Sequence, residues 1–415
     1  MAESSISFSR PKSVLHYWLQ LSQEPTQDFI RLLDYLSERD LGLLEMASSE
    51  RYMRQLYTLS LKVYYETHDI AIAKLKNSDS HLYWILNRGL NNHIKKLVIS
   101  FIESKDEINF EYYDTKFPNL LEVKCWCITP AICRMLGLYS PNLHTLKILN
   151  GADELTIEEV ETLCSGCRHL KLIQISEHPD MNHIVPPHET LSIISKFCKE
   201  LEVIRLSNWD RVESDSLACL SELTNLIELE LDLVYGWDSF PSSVFSSNIK
   251  LESITLAGDL SHDTILRGLG MHCHSLKDVW LGAWAWREIN DECIVAMVQG
   301  CPLLERVDIG AWNKAWAYHY EDDFDEDFVP DVSVTNAAMY AIAQFCPYLK
   351  VFHISSADPL AYDNSGLDAI KHGCPHLQAI YKDDKVYYAV HGYNTAEPID
   401  EDYGDSDIAS CIDSD

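Results

Sequence analysis

The chain has 415 residues, 47% of them apolar, and a formal net charge of -31 at pH 7. That is enough apolar surface for a large core, while the excess of acid opposes attraction to a phosphate backbone, so no nucleic-acid partner is expected. Met1-Ala-Glu-Ser-Ser-Ile-Ser has neither the basic region nor the apolar run of a signal peptide, and no run of about 18 apolar residues predicts a membrane span; no membrane partner and a cytoplasmic and/or nuclear location are expected.

Residues 1–12 are expected to be a disordered N-terminus, followed by a small all-helical domain over 13–70. Ser13 to Gln23 reads as a short amphipathic helix. Pro25 suits a helix start, because its missing N–H would be unsatisfied there anyway. Phe29, Leu32, Leu33 and Leu36 then recur at helical spacing, and Asp40 can cap a second helix carrying Leu41, Leu44 and Met46.

From residue 71 to about 384 the pattern changes to a repeat. Cys167, Cys198, Cys273, Cys301, Cys346 and Cys374 are each followed three residues later by leucine and an LxxLxL-type pattern. Aligned on the residue that opens each strand, the units start at Ile94, Leu120, Leu143, Leu170, Leu201, Leu226, Leu251, Leu276, Leu304, Leu349 and Leu377. Nearly all of these spacings fit the ~20–29 residues of a leucine-rich repeat, in which each coil is one strand and one helix. Ile157 to Leu163, Leu191 to Phe197, Ile294 to Val298 and Ala337 to Phe345 fit the helices. The expected fold is therefore an α/β leucine-rich-repeat solenoid, a horseshoe of about eleven units whose apolar faces are buried by stacking. The recurring cysteines read as small buried hydrophobes rather than disulfides.

Only the interval from Leu304 to Leu349 demands an insertion, placed at about 313–333. Between Glu321 and Asp331 it carries Glu321, Asp322, Asp323, Asp325, Glu326, Asp327 and Asp331 with no Lys or Arg. The tail, 385–415, adds Glu397, Asp400, Glu401, Asp402, Asp405, Asp407, Asp413 and Asp415. Such blocks are solvated segments or docking strips for a basic partner, and Phe324 and Phe328 keep the second reading open.

No GxxxxGK[ST], HExxH, GxSxG or complete GxGxxG occurs. Cys164-Ser-Gly-Cys167 is a lone CxxC without a second pair at zinc spacing. The expectation is a non-catalytic protein with no cofactor and no metal.

Pro25, Phe29, Leu32, Leu33, Tyr35-Leu36 and Arg39-Asp40-Leu41, followed by cysteine-type repeats, resemble an F-box protein with leucine-rich repeats. Glu24 stands where leucine is usual, Gln27 where an acid is usual, and Ala47-Ser48-Ser49 with Tyr52 where valine, cysteine and tryptophan are common. The resemblance implies a substrate-recognition subunit of a cullin-based (SCF-type) ubiquitin ligase. Pro25, Phe29, Leu32, Leu33, Leu36, Leu41 and Leu44 would contact a Skp-type adaptor by helix-in-groove docking, and the adaptor would bridge to the cullin ligase core. Two other readings stay open: an interaction scaffold whose N-terminal helices only cap the solenoid, and an acidic binder of basic proteins.

Strand alternation turns offsets 3 and 5 from each opening residue inward and offsets 2 and 4 outward, onto the concave face. Offset 4 contains Lys124, Lys147, Arg205, Trp280, Asp308, His353 and Tyr381, the candidate substrate-binding residues. Lys124, Lys147 and Arg205 would receive an acidic or phosphorylated segment, with Trp280 as apolar anchor. Trp209, Trp284 and Trp312 share offset 8 and are expected in the core, whereas Trp126, Trp286 and Trp316 are secondary interface candidates.

Overall fold

The computed structural model describes residues 61–62, 70–72, 89–99, 116–149, 151, 155–176, 187–209, 212, 214–233, 240–258, 262–283, 289–309, 334–354, 362–382 and 385–390. The helical segment with Pro25 to Leu44, the acidic insertion and the acidic tail lie outside them, as do Trp284, Trp286, Trp312 and Trp316.

The described strands form one sheet in strict sequence order. They are β1 (Ile70–Ile72), β2 (Lys96–Ile99), β3 (Glu122–Cys125), β4 (Thr145–Ile148), β5 (Leu172–Ser176), β6 (Val203–Trp209), β7 (Glu228–Leu233), β8 (Ser253–Gly258), β9 (Asp278–Ala283), β10 (Arg306–Ile309), β11 (Val351–Ile354), β12 (Ala379–Lys382) and β13 (Lys385–Ala389). Every residue of the opening series, Ile94 to Leu377, is buried and sits two positions before a strand. β1 to β12 are parallel neighbours, and the chain is a leucine-rich-repeat solenoid. The sheet continues past Asp384, because β13 turns back and pairs antiparallel with β12.

Alternation explains the core. Val123 and Cys125, Leu229 and Leu231, and Val279 and Leu281 are inward pairs at offsets 3 and 5, each almost fully buried. Facing them are helices α1 (Pro130–Tyr139), α2 (Ile157–Gly166), α3 (Pro187–Phe197), α4 (Ser214–Leu217), α5 (Ser242–Ser247), α6 (His262–His272), α7 (Asp291–Gly300), α8 (Asn336–Phe345) and α9 (Asn364–Gly373). In α7, Cys293, Ile294, Met297 and Val298 form the inner stripe at helical spacing. Full burial of each such side chain is worth about 1.5–3 kcal/mol, which outweighs the weak intrinsic stability of ten-residue helices.

The recurring cysteine has a specific task at the helix end. Each of the six immediately follows a helix, and its N–H closes the last turn, as in Cys273 N–H to Leu269 O at 2.8 Å and Cys301 N–H to Met297 O at 2.9 Å. In two of them the thiol also reaches back to carbonyls of the preceding coil: Cys301 Sγ lies 3.4 Å from Cys273 O, and Cys167 Sγ lies 3.5 Å from Leu136 O. Each of those carbonyls already accepts a backbone N–H, Ser140 N to Leu136 O at 2.9 Å and Leu276 N to Cys273 O at 3.1 Å, and the thiol meets its second lone pair. Where cysteine is replaced, Asn248 makes the same kind of contact, its Nδ2 donating to Leu220 O of the preceding coil at 3.3 Å. Burial pushes the thiols of Cys167, Cys273 and Cys301 up to about 12, so they stay protonated, poor nucleophiles.

The stack is continuous across the long interval after Leu304. β10 pairs directly with β11, Arg306 to Val351 through Ile309 to Ile354. On the other side of the sheet the Asp291 carboxylate accepts from Thr335 N at 2.8 Å, from Thr335 Oγ1 at 2.6 Å and from Ala338 N at 3.3 Å. One acid at the start of α7 thereby caps α8, and adjacency of the two coils does not depend on sequence proximity.

Candidate functional site

Parallel pairing places the offset-4 residues on consecutive strands in one ladder. It runs Val98, Lys124, Lys147, Gln174, Arg205, Glu230, Thr255, Trp280, Asp308, His353 and Tyr381. The seven sequence-predicted candidates thus share one column, but their environments differ along it.

At its N-terminal end β3 and β4 alternate buried and half-buried residues, as expected of a sheet with one solvated face. Lys124 and Lys147 are partly exposed direct neighbours, and neither has a carboxylate within ion-pair distance among the described residues. Two positions beyond Lys124, the indole Nε1 of half-buried Trp126 is buried without an acceptor among the described residues.

In the middle, Arg205 is not available in the way its sequence position suggested. Its Nε lies 2.6 Å from Glu228 Oε1 and 3.6 Å from Glu230 Oε2, so this guanidinium neutralises the acidic strand β7 instead of extending the lysine pair. The third outward acid of β7, Asp232, faces Ser207 and Ala257 in the register and has no such cation among the described residues. Burial, reinforced by the charge on Glu230, raises its pKa to about 6.

A folded pKa above the ordinary value near 3.8 means that stability is fully present below about pH 4 and is lost as pH rises through about 6. Asp232→Asn is therefore expected to stabilise the protein by about 1–3 kcal/mol at pH 7 and to flatten its pH dependence between 4 and 6. Urea denaturation of both proteins across that range measures the difference; an unchanged slope would remove Asp232 as its source.

Toward the C-terminal end the column leaves solvent. Trp280 is partly exposed and its ring lies along its own strand: a Cβ on Gly282 would come 2.4 Å from the indole Cη2, so glycine makes the room. Asp308, His353 and Tyr381 occupy the expected column but are only 1%, 2% and 8% exposed. They do not offer the exposed binding surface predicted for them. His353 Nδ1 lies 3.1 Å from Asp308 Oδ1, and the His353 and Tyr381 rings meet edge-on at 5.8 Å.

The reason is a second apolar layer. Val351, Ala379 and Tyr381, all at outward offsets, form a buried cluster separate from the main core. Both faces of the sheet are covered there, and the signal is in the sequence: Val351-Phe352-His353-Ile354 and Ala379-Ile380-Tyr381 lack the polar alternation of Glu122-Val123-Lys124-Cys125.

Along the rim, charges are consumed by the stack itself. Lys171 pairs with Glu202 at 2.8 Å, Lys277 with Glu252 at 2.6 Å and Lys199 with Glu222 at 2.6 Å; Lys350 also pairs with Glu305. Trp209 is 2% exposed, in the core as its offset predicts.

No known protein-family profile matches the chain. Over 123 residues, 29% of the chain, it is 26% identical to F-box/LRR-repeat protein 4 of Bos taurus, and the match spans only 20% of that relative's length. Among solved structures, the crystal structure of the Rad7 and Elc1 complex in yeast aligns over 83% of this chain and 86% of that one, at 16% identity and a TM-score of 0.39. A leucine-rich-repeat protein of Leptospira interrogans aligns over 71% of this chain and 79% of its own, at 13% identity and a TM-score of 0.27. The chain is thus similar, over part of its length, to an F-box/LRR-repeat protein, and its described residues form a leucine-rich-repeat solenoid.

Proposed function

We propose that this protein is a substrate-recognition subunit of an SCF-type ubiquitin ligase. The observation that carries the reading is the 123-residue similarity to an F-box/LRR-repeat protein in a chain whose described residues form an uninterrupted repeat sheet. Pro25, Phe29, Leu32, Leu33, Leu36, Leu41 and Leu44 would dock on a Skp-type adaptor, which would join the cullin ligase core. The outward sheet column would hold a protein substrate. Ubiquitin transfer would belong to the recruited enzyme, with this chain supplying proximity. The described cysteines are free thiols, which supports a reducing compartment such as cytosol or nucleus.

The test is co-purification of the full chain with a Skp-type adaptor. Phe29→Ala with Leu33→Ala is expected to reduce capture at least tenfold while the thermal melting of the solenoid is unchanged, because small numbers of buried anchors dominate helix-in-groove contacts. Failure of the unsubstituted chain to capture the adaptor would favour a scaffold whose N-terminal helices only cap the repeats.

A further inference from the structure

Lys124 and Lys147 are Cα partners on adjacent parallel strands, about 4.8 Å apart. Most other described cations with nearby acids are neutralised: Arg134 by Glu159, Lys171 by Glu202, Arg205 by Glu228, Arg267 by Asp263. In a chain of net charge -31 these two like charges stand side by side without a carboxylate within ion-pair distance among the described residues. On the neighbouring outward positions, Lys96 and Glu122 are register partners that lie 3.7 Å apart and offset each other. Beside the pair, the buried Trp126 N–H has no acceptor among the described residues, and a buried donor left in that state calls for a partner.

We propose that Lys124, Lys147 and Trp126 form a subsite for an acidic, carboxylate-bearing peptide segment of a protein partner. The proposal deepens the recognition reading above and rests on it for the word substrate. Lysine presents a mobile point charge, not the planar fork of arginine, and the nearest arginine in the column is held by Glu228. Such a pair selects for a run of separate carboxylates, each ammonium taking one, with the indole N–H completing one oxygen.

The ladder also sets a spacing. From Lys147 on β4 to Trp280 on β9 there are five strand intervals, about 24 Å, which an extended segment crosses in about seven residues. The segment would therefore combine acids at one end with a large apolar residue about seven positions away, where Trp280 is partly exposed.

The probe is a fluorescein-labelled peptide with two consecutive glutamates and a phenylalanine seven residues on, in a Gly/Ser background. Fluorescence anisotropy with the full chain is read at about 0.15 M salt, where screening within about 8 Å confines the chain's overall negative field. Binding is expected, weakened at least tenfold by Lys124→Glu with Lys147→Glu, retained by Lys124→Arg with Lys147→Arg, and weakened at least tenfold when serines replace the glutamates. Equal binding of the serine peptide, or indifference to charge reversal in a protein of unchanged melting temperature, overturns the subsite. Binding of a phosphoserine peptide but not the glutamate peptide overturns the carboxylate assignment. Binding that emerges only after residues 100–115, with Glu103, Asp106, Glu107, Glu111 and Asp114, are replaced by a neutral linker identifies the chain's own acids as occupant and also overturns it. Adaptor capture is measured separately, so a failed ligase reading and a failed subsite give different results.

Discussion

Replacement of Asp308 by alanine is expected to cost about 3–5 kcal/mol of stability, because it leaves His353 buried beside an apolar methyl group. The two side chains are 1% and 3% exposed and meet at 3.1 Å across adjacent strands. Taking either group out of water is unfavourable, and the other, at ion-pair distance, offsets part of that cost. The pair as a whole need not stabilise the fold: Asp308→Leu with His353→Phe, which removes both polar groups, is expected to lie much closer to the parent than either single change. Urea denaturation of the four proteins gives the coupling energy. A loss below about 1 kcal/mol for Asp308→Ala would mean that solvent reaches the pair. This outcome also bears on function, since it separates a sealed structural pair from a binding surface.

Gly300→Ala is expected to destabilise by about 2–3 kcal/mol, opposite in sign to the gain of about 1 kcal/mol that helix propensity alone assigns to alanine over glycine. Gly300 ends α7 where it presses on α6: an added Cβ would lie 1.8 Å from the Gly270 carbonyl oxygen, a backbone atom that cannot rotate away. Gly166 meets Gly137 in the same manner between α1 and α2, at 1.7 Å. Relief requires the two coils to separate, and in a stack whose units touch only their neighbours that strain acts on both halves. Thermal melting of the full chain reads the effect; a higher melting temperature would show that the coils part easily and that close approach is not what the glycine provides.

The eleven strand openings from Ile94 to Leu377 were legible because a repeat is a local pattern: an apolar residue, then inward side chains two apart, recurring after each return helix. The cysteines were legible as buried for the same reason, although the thiol contacts of Cys167 and Cys301 to the preceding coil's carbonyls depend on a neighbour 27 to 32 residues away. β13 carried no repeat signature, since it pairs antiparallel and closes the sheet edge rather than adding a unit.

The outward column was assigned correctly from alternation alone, and its order along the sheet follows from parallel pairing of equal offsets. Which members reach a ligand was not. Arg205 is taken by Glu228 on the next strand, 23 residues on, and Asp308 and His353 are sealed where Val351, Ala379 and Tyr381 build a second apolar layer. The sequence by itself determined the repeat, its register and the direction of each strand side chain, because these depend on residues a few positions apart. Only the tertiary structure decided which charges are already paired and which sheet face is covered, because both depend on side chains brought together from different coils.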